Sequence, residues 1–201
     1  MTPEKYKPAE ETDFLFVDSE EHLATLRNHL NESRVVEIAI DIEAHTMRSY
    51  QGLTCLIQIS TRFKDFIVDT LKLRAQIGDA LRDIFDNPEK TKVLHGADMD
   101  IQWLQRDFGL FIVNMFDTGQ AARMLQLKSF GLAYLLQSYC GVLADKKYQL
   151  ADWRIRPLTE EMMKYAREDT HYLLYIYDCL RKELVERGLK TNSSNPFSLM
   201  K

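Results

Sequence analysis

The sequence predicts an α/β domain with a mixed sheet and a helical C-terminal half. Apolar, β-branched runs crowd the first half of the chain, whereas beyond residue 118 apolar residues recur at helical spacing between turn signals. A length of 201 residues suits one domain with a core of its own.

The elements follow in order. Residues 13–18 read as a short strand, and Ser19 then caps a helix reaching Leu30, with Glu20 and Glu21 in its first turn. Residues 35–43 form a β-branched strand. Residues 53–60 and 65–69 are two more strands, with Thr61-Arg62-Phe63-Lys64 between them as an antiparallel hairpin turn. An amphipathic helix over 75–85 stops at Asn87-Pro88. A strand over 92–94, the Gly96 turn, a helix over 98–107 and a strand over 111–113 complete the mixed part. Helices over 118–125, 131–139 and 159–187 finish the chain. The first three strands read as a meander and the later ones need helical crossovers, which is the order of a ribonuclease-H-like sheet of five or six strands flanked by helices. Polar stretches at 1–12 and 191–201 read as tails around a globular domain over 13–190.

Composition narrows the class. An apolar share of 45% and a charged share of 28% belong to a soluble globular protein. Cys55, Cys140 and Cys179 form no C-x-x-C pair, as expected of free thiols in a reducing compartment. No apolar run approaches the ~20 residues of a membrane span, so no membrane partner is expected. With 26 basic against 30 acidic residues the net charge is −4, which lacks the basic footprint of non-specific nucleic-acid binding. An enzyme that holds a phosphodiester through bound cations is compatible with that balance, because the cations then dominate the local charge.

Four acids sit where they can converge. Asp41 and Glu43 lie two apart in a strand, hence on one face, at the end where α/β sheets open a crevice. Tyr165 and Asp169 lie four apart on a helix and share its face. Asp100 follows the His95-Gly96-Ala97 turn, and Trp103 and Leu104 continue its helical face inward. Taken singly, each fragment also fits a strand end with solvated acids, a first-turn acid or a half-buried tyrosine. Together, four carboxylates in an apolar setting require a counter-ion. Hard divalent cations take such oxygen ligands, and paired cations catalyse displacement at phosphorus, so the set predicts a phosphodiesterase.

The order Asp-x-Glu, Asp, Tyr-x-x-x-Asp resembles the DEDD exonucleases of the tyrosine type, the RNase D group. The surrounding segments 52–60, 93–97, 100–104 and 148–157 are similar to the same group, and most similar to the exonuclease domain of the RNase D-like subunit of the eukaryotic nuclear exosome; the likeness runs over 13–187. It implies a 3′-5′ exoribonuclease that releases nucleoside 5′-monophosphates from an RNA 3′ end with two Mg²⁺ ions, Mn²⁺ or Zn²⁺ being substitutes. Paired cations of this kind sit about 3.5–4 Å apart. By the same resemblance Asp41 bridges both ions, Glu43 and Asp169 complete one shell, Asp100 holds the second and Tyr165 positions the attacking water. Trp103, Lys146 and His45 carry over as substrate-binding, with a core tryptophan and a solvated lysine as the competing assignments for the first two. Trp153 and Arg156-Pro157 fix the loop before the last helix. Where relatives follow Asp-x-Glu with His or Asn, this chain has Ala44, whose methyl group cannot hydrogen-bond a nucleotide.

His95 to Asp100 also has the His-x-x-x-x-Asp spacing of the histidine-type DEDD enzymes. That assignment would leave Tyr165 and Asp169 without a role, so the tyrosine type is preferred. The resemblance further implies a nuclear, nucleolus-enriched location, an exosome core and cofactor proteins as partners, and a monomeric catalytic domain. The alternatives are a DNA 3′-5′ exonuclease of the same fold or a catalytically silent scaffold module.

Overall fold

A computed structural model of the chain describes residues 2–45 and 52–188; the stretch over 191–201 lies outside the described residues. Six strands, β1 (Asp13–Val17), β2 (Glu37–His45), β3 (Leu53–Ser60), β4 (Lys64–Asp69), β5 (Thr91–Leu94) and β6 (Met115–Asp117), make one sheet in the order β1-β4-β3-β2-β5-β6. β2, β3 and β4 pair antiparallel, while β1 joins β4, β5 joins β2 and β6 joins β5 in parallel. The meander is therefore β2 to β4 and not the first three strands. Helix α1 (Glu20–Asn31) carries the chain from β1 at the sheet edge across to β2, and β1 is then paired by the later β4.

Strand alternation sorts the side chains onto two faces. Ile38, Ile40, Ile42, Ile57 and Ile59 point into the main core, under α1, α2 (Thr70–Phe85) and α3 (Asp98–Phe108). Gly78 allows α2 to approach α3 closely, since a Cβ there would strike the Phe108 carbonyl. The opposite face carries Ala39, Leu56, Ile67 and Val93 beneath α6 (Glu160–His171) and α7 (Leu173–Glu186). Between them come α4 (Thr118–Met124) and α5 (Leu132–Leu135), which runs on into a π turn over Leu136–Cys140.

Three elements differ from the sequence reading. The last helix is two, broken at Tyr172, where Thr170 turns its hydroxyl to the Arg167 carbonyl and to Ser60 and draws the turn onto the sheet. Helix α2 starts at Thr70, because the Asp69 side chain accepts from Leu71 and Lys72 N–H. The last strand is 115–117 and not 111–113. Asn114 adopts a left-handed φ of 59°, donates to the Pro88 carbonyl and re-aims the chain, leaving Phe111 59% exposed.

The polar stretch before β1, read above as a tail, runs along α6 and α7. The Tyr6 ring meets Tyr172 edge-on at 4.8 Å and its hydroxyl donates to the Cys140 carbonyl, while Glu4 N–H donates to Asp178. No described helix is long and apolar enough to cross a membrane.

Candidate active site

The end of β2 brings the acids to the α6 face. Ile40 and Ile42 enter the core, so Asp41 and Glu43 point the other way, and the β2–β3 register slips just beyond them, between Glu43 and Ala44. Helix α6 is drawn onto that face by the 2.8 Å bond between Ser60 and Thr170. Asp169, next in the chain, thereby meets the β2 pair, and one ligand atom from each of Asp41, Glu43 and Asp169 lies within 4.8 Å of the others. Tyr165 stands one turn earlier on the helix, with its phenol beside the Asp169 carboxylate; its ring is flanked by Trp153 and Tyr148, each 5.9 Å away between centroids. Asp100, 8% exposed near the start of α3, lies near enough for its charge to interact with Asp41, but it is not one of the three acids whose ligand atoms converge.

Burial and mutual repulsion hold these acids far from their ordinary range. Asp41 is pushed up to about 7 by burial. Asp100 rises to about 8, by burial first and then by Asp41, Asp117 and Asp98. Glu43 rises to about 10, by burial and then by Asp41, Asp169 and Asp100, and burial followed by Asp41 raises Asp169 well above the carboxylate range. The same burial, with the Asp169 and Glu43 charges, raises the Tyr165 phenol, which therefore stays protonated and orients groups by hydrogen bonding. Among the described residues, no Lys or Arg lines the roughly 510 Å³ cleft above the cluster. Converging oxygens with no counter-charge among the described cleft residues fit a hard divalent cation, and Asp41, Glu43, Asp169 and Asp100 are the residues that would hold it.

The supporting contacts explain why the site has this shape. Asp117, the N-cap of α4, accepts from Gly119 N–H at 2.7 Å, Gln120 at 3.0 Å, Gly96 at 3.1 Å and Ala97 at 2.9 Å. One carboxylate thus fixes both the α4 terminus and the turn that launches α3 toward Asp100. The sequence reading missed it, although an Asp before Thr at a helix start was the available signal. Asp117→Ala is expected to cost about 2 kcal/mol of stability and, by letting the turn shift, to lower activity roughly tenfold or more. Urea melts and turnover rates check this, and an alanine variant equal to wild type in both would remove Asp117 from the role. Arg156 clamps the loop before α6 by pairing with Asp69 and with the Trp153 and Ile155 carbonyls.

His95, set aside in the histidine-type assignment, nevertheless lines the cleft, with Nδ1 2.9 Å from Thr118 Oγ1. The cleft lining includes neither Trp103 nor His45. Trp103 packs part-buried against the main core, one turn beyond Asp100. His45 is 9% exposed, with Nδ1 3.5 Å from the Asp152 carboxylate. Ala44 follows the register slip, opposite Thr54. The Lys146 side chain lies outside what the structure describes, although its neighbours Asp145 and Gln149 line the cleft.

Comparison with known proteins places these features in context. A profile of the family described as 3′-5′ exonuclease matches residues 14–185. Human "Exosome complex component 10" is 56% identical over 186 residues, covering 92% of this chain and 21% of that protein. The crystal structure of the catalytic core of RRP6 from Trypanosoma brucei superposes with a TM-score of 0.90 at 46% identity, covering 94% of this chain and 52% of that one. Escherichia coli RNase D, described as an exoribonuclease involved in structured RNA processing, matches with a TM-score of 0.84 at 28% identity, covering 94% of this chain and 50% of that chain. The chain spans between 21% and 29% of the length of the curated relatives it matches first.

Proposed function

Because the chain belongs to the DEDD 3′-5′ exonucleases, in the RNase D group, we propose that it is a metal-dependent 3′-5′ exoribonuclease releasing nucleoside 5′-monophosphates from RNA 3′ ends. The observation that carries the reading is the convergence of Asp41, Glu43 and Asp169 within 4.8 Å beside Asp100 and Tyr165, at the base of an open cleft.

When bound, two Mg²⁺ ions would supply the positive charge that stabilises the attacking and leaving oxygens. The chain does the rest. Asp41 interacts with each of the other three acids, and it would hold the ions together with Glu43, Asp169 and Asp100. Tyr165, protonated and beside Asp169, orients the attacking water. The helix and loop segments carrying Leu132, Ala144 and Gln149 wall the cleft and receive the terminal nucleotide. Trp103, His45 and Lys146 are proposed to contact RNA beyond that pocket.

That relatives are exosome components supports association with an exosome, and with it a nuclear role in RNA processing and decay. The domain itself is proposed to act as a monomer.

Matched RNA and DNA oligonucleotides labelled at the 5′ end test the reading, each digested with Mg²⁺ and with EDTA. Stepwise shortening of RNA from the 3′ end, abolished by EDTA, is expected; equal or preferred digestion of DNA would sink the RNA assignment. Tyr165→Phe is expected to lower kcat about 10²-fold or more while leaving KM near wild type. A raised KM with unchanged kcat would remove the water-orienting role.

A further inference from the structure

Directly across the β2–β3 ladder from Asp41 stands Gln58. Opposed residues of an antiparallel pair share a face with their Cβ atoms roughly 5 Å apart, and the neighbours of Gln58 establish which face that is. Leu56, two residues before it, packs with Met162 and Ala166 of α6, and Ser60, two residues after it, bonds Thr170 of the same helix. Gln58 therefore points beneath α6, into the floor of the acidic centre, flanked by Asp41 on one side and Ile67 on the other.

The Gln58 side chain is 0% exposed, and neither Nε2 nor Oε1 has a hydrogen-bond partner among the described residues. Other buried atoms also lack partners: in His45, Asp65 and Arg74 a second atom of the same group is engaged, while the Trp153 indole leaves a single donor, Nε1, unpaired. Here the whole amide is unused. Desolvating both ends of an amide without return is costly, and an apolar residue of the same shape would avoid it. The acid directly across the ladder, Asp41, is a group that can satisfy its N–H.

We propose that Gln58 is a positioning residue of the acidic centre. When a cation is bound, the Gln58 Nε2–H turns to donate to the Asp41 carboxylate and holds that side chain in the ligating orientation. The Gln χ3 torsion is broad, so the amide reaches Asp41 by rotation without backbone movement. Groups that brace a metal ligand in this way commonly change affinity by about tenfold or more when removed.

The inference rests on the proposed metal-dependent reading, and the experiment separates the two. Thermal unfolding of the chain is followed during titration with Mn²⁺, alone, for wild type, Gln58→Met and Gln58→Asn. Methionine keeps the length and removes both polar atoms; asparagine keeps the amide but retracts it by one methylene. The metal-free Met variant is expected to melt at or above wild type, because an unpaired amide has gone. Both variants should need about tenfold more Mn²⁺ for half the stabilisation, with kcat lowered about tenfold and KM for an RNA oligonucleotide little changed. If the Met variant fails to fold, the Asn variant carries the same comparison. Variant midpoints and kcat within about twofold of wild type would overturn the role of Gln58. A lower melting point with an unchanged Mn²⁺ midpoint would also overturn it, as the mark of a purely structural amide. A wild type that Mn²⁺ does not stabilise would overturn the metal-dependent reading as well.

Discussion

Asp41→Asn is expected to cut kcat by about 10³-fold or more, a loss of several kcal/mol of transition-state stabilisation, and at the same time to make the metal-free protein more stable. Both effects have one origin. Asp41 appears among the charges that raise Glu43, Asp100 and Asp169, so it sits at the centre of the repulsion that a bound cation would relieve. The isosteric amide keeps the packing and removes the charge.

The pH dependence follows from the direction of these shifts. Asp41, Asp100 and Glu43 are pushed up to about 7, 8 and 10, from unfolded values near about 4. Groups with raised pKa values contribute their stability in full below the unfolded value and lose it as pH rises through the folded one. Metal-free wild type should therefore lose stability between about pH 5 and pH 9, and Asp41→Asn should lose less. Buried Lys92, lowered to about 8, works in the opposite direction, since its neutral form is favoured as pH rises. The difference between melts with and without Mg²⁺ removes that contribution, being common to both. Stabilisation by Mg²⁺ should thus be larger at pH 9 than at pH 6 in wild type and smaller at both in the variant. Turnover by Asp41→Asn within tenfold of wild type, or an unchanged Mg²⁺ response, would refute the shared-ligand role.

The parts of the site legible in the sequence are those that local periodicity encodes. Period two puts Asp41 and Glu43 on one face of β2, and the four-residue spacing puts Tyr165 above Asp169. Neither rule says which segments meet. The joining contacts link residues far apart in the chain, such as Ser60 with Thr170 and Asp117 with the Gly96 turn. No local pattern of hydrophobicity announces them. The misplaced last strand has the same cause: Phe111-Ile112-Val113 has strand composition, but the parallel partner of Lys92 is Met115. Strand character in this chain was decided by pairing and by the turn at Asn114, and composition alone could not locate it. Gln58 looked like one more residue of a buried strand, and only its register opposite Asp41 gives its amide a meaning.

Arg156→Ala is expected to be the most destabilising single substitution outside the core, at about 3–5 kcal/mol, because it leaves a buried carboxylate uncompensated. Asp69 is 0% exposed, and Arg156 meets it as a fork, Nε to Oδ2 at 2.7 Å and Nη2 to Oδ1 at 2.9 Å. The same guanidinium donates to the carbonyls of Cys55, Trp153 and Ile155. It thereby ties the loop before α6 to the start of β3 and to the helix that Asp69 caps. Against a domain stability of about 5–15 kcal/mol, such a loss is a large fraction of the whole. Arg156→Lys keeps the charge but not the planar fork, and should fall between alanine and wild type. Adding Asp69→Asn to Arg156→Ala should recover part of the stability, since the charge left behind is what costs most. Activity is expected to fall with stability, because the loop presents Trp153 to the Tyr165 ring and supplies Ala144 and Gln149 to the cleft wall. Urea denaturation of the three variants decides the matter. A loss below about 1 kcal/mol for Arg156→Ala would mean that the pair contributes no more than an exposed one, and no recovery on adding Asp69→Asn would mean that the stranded charge is not the cause.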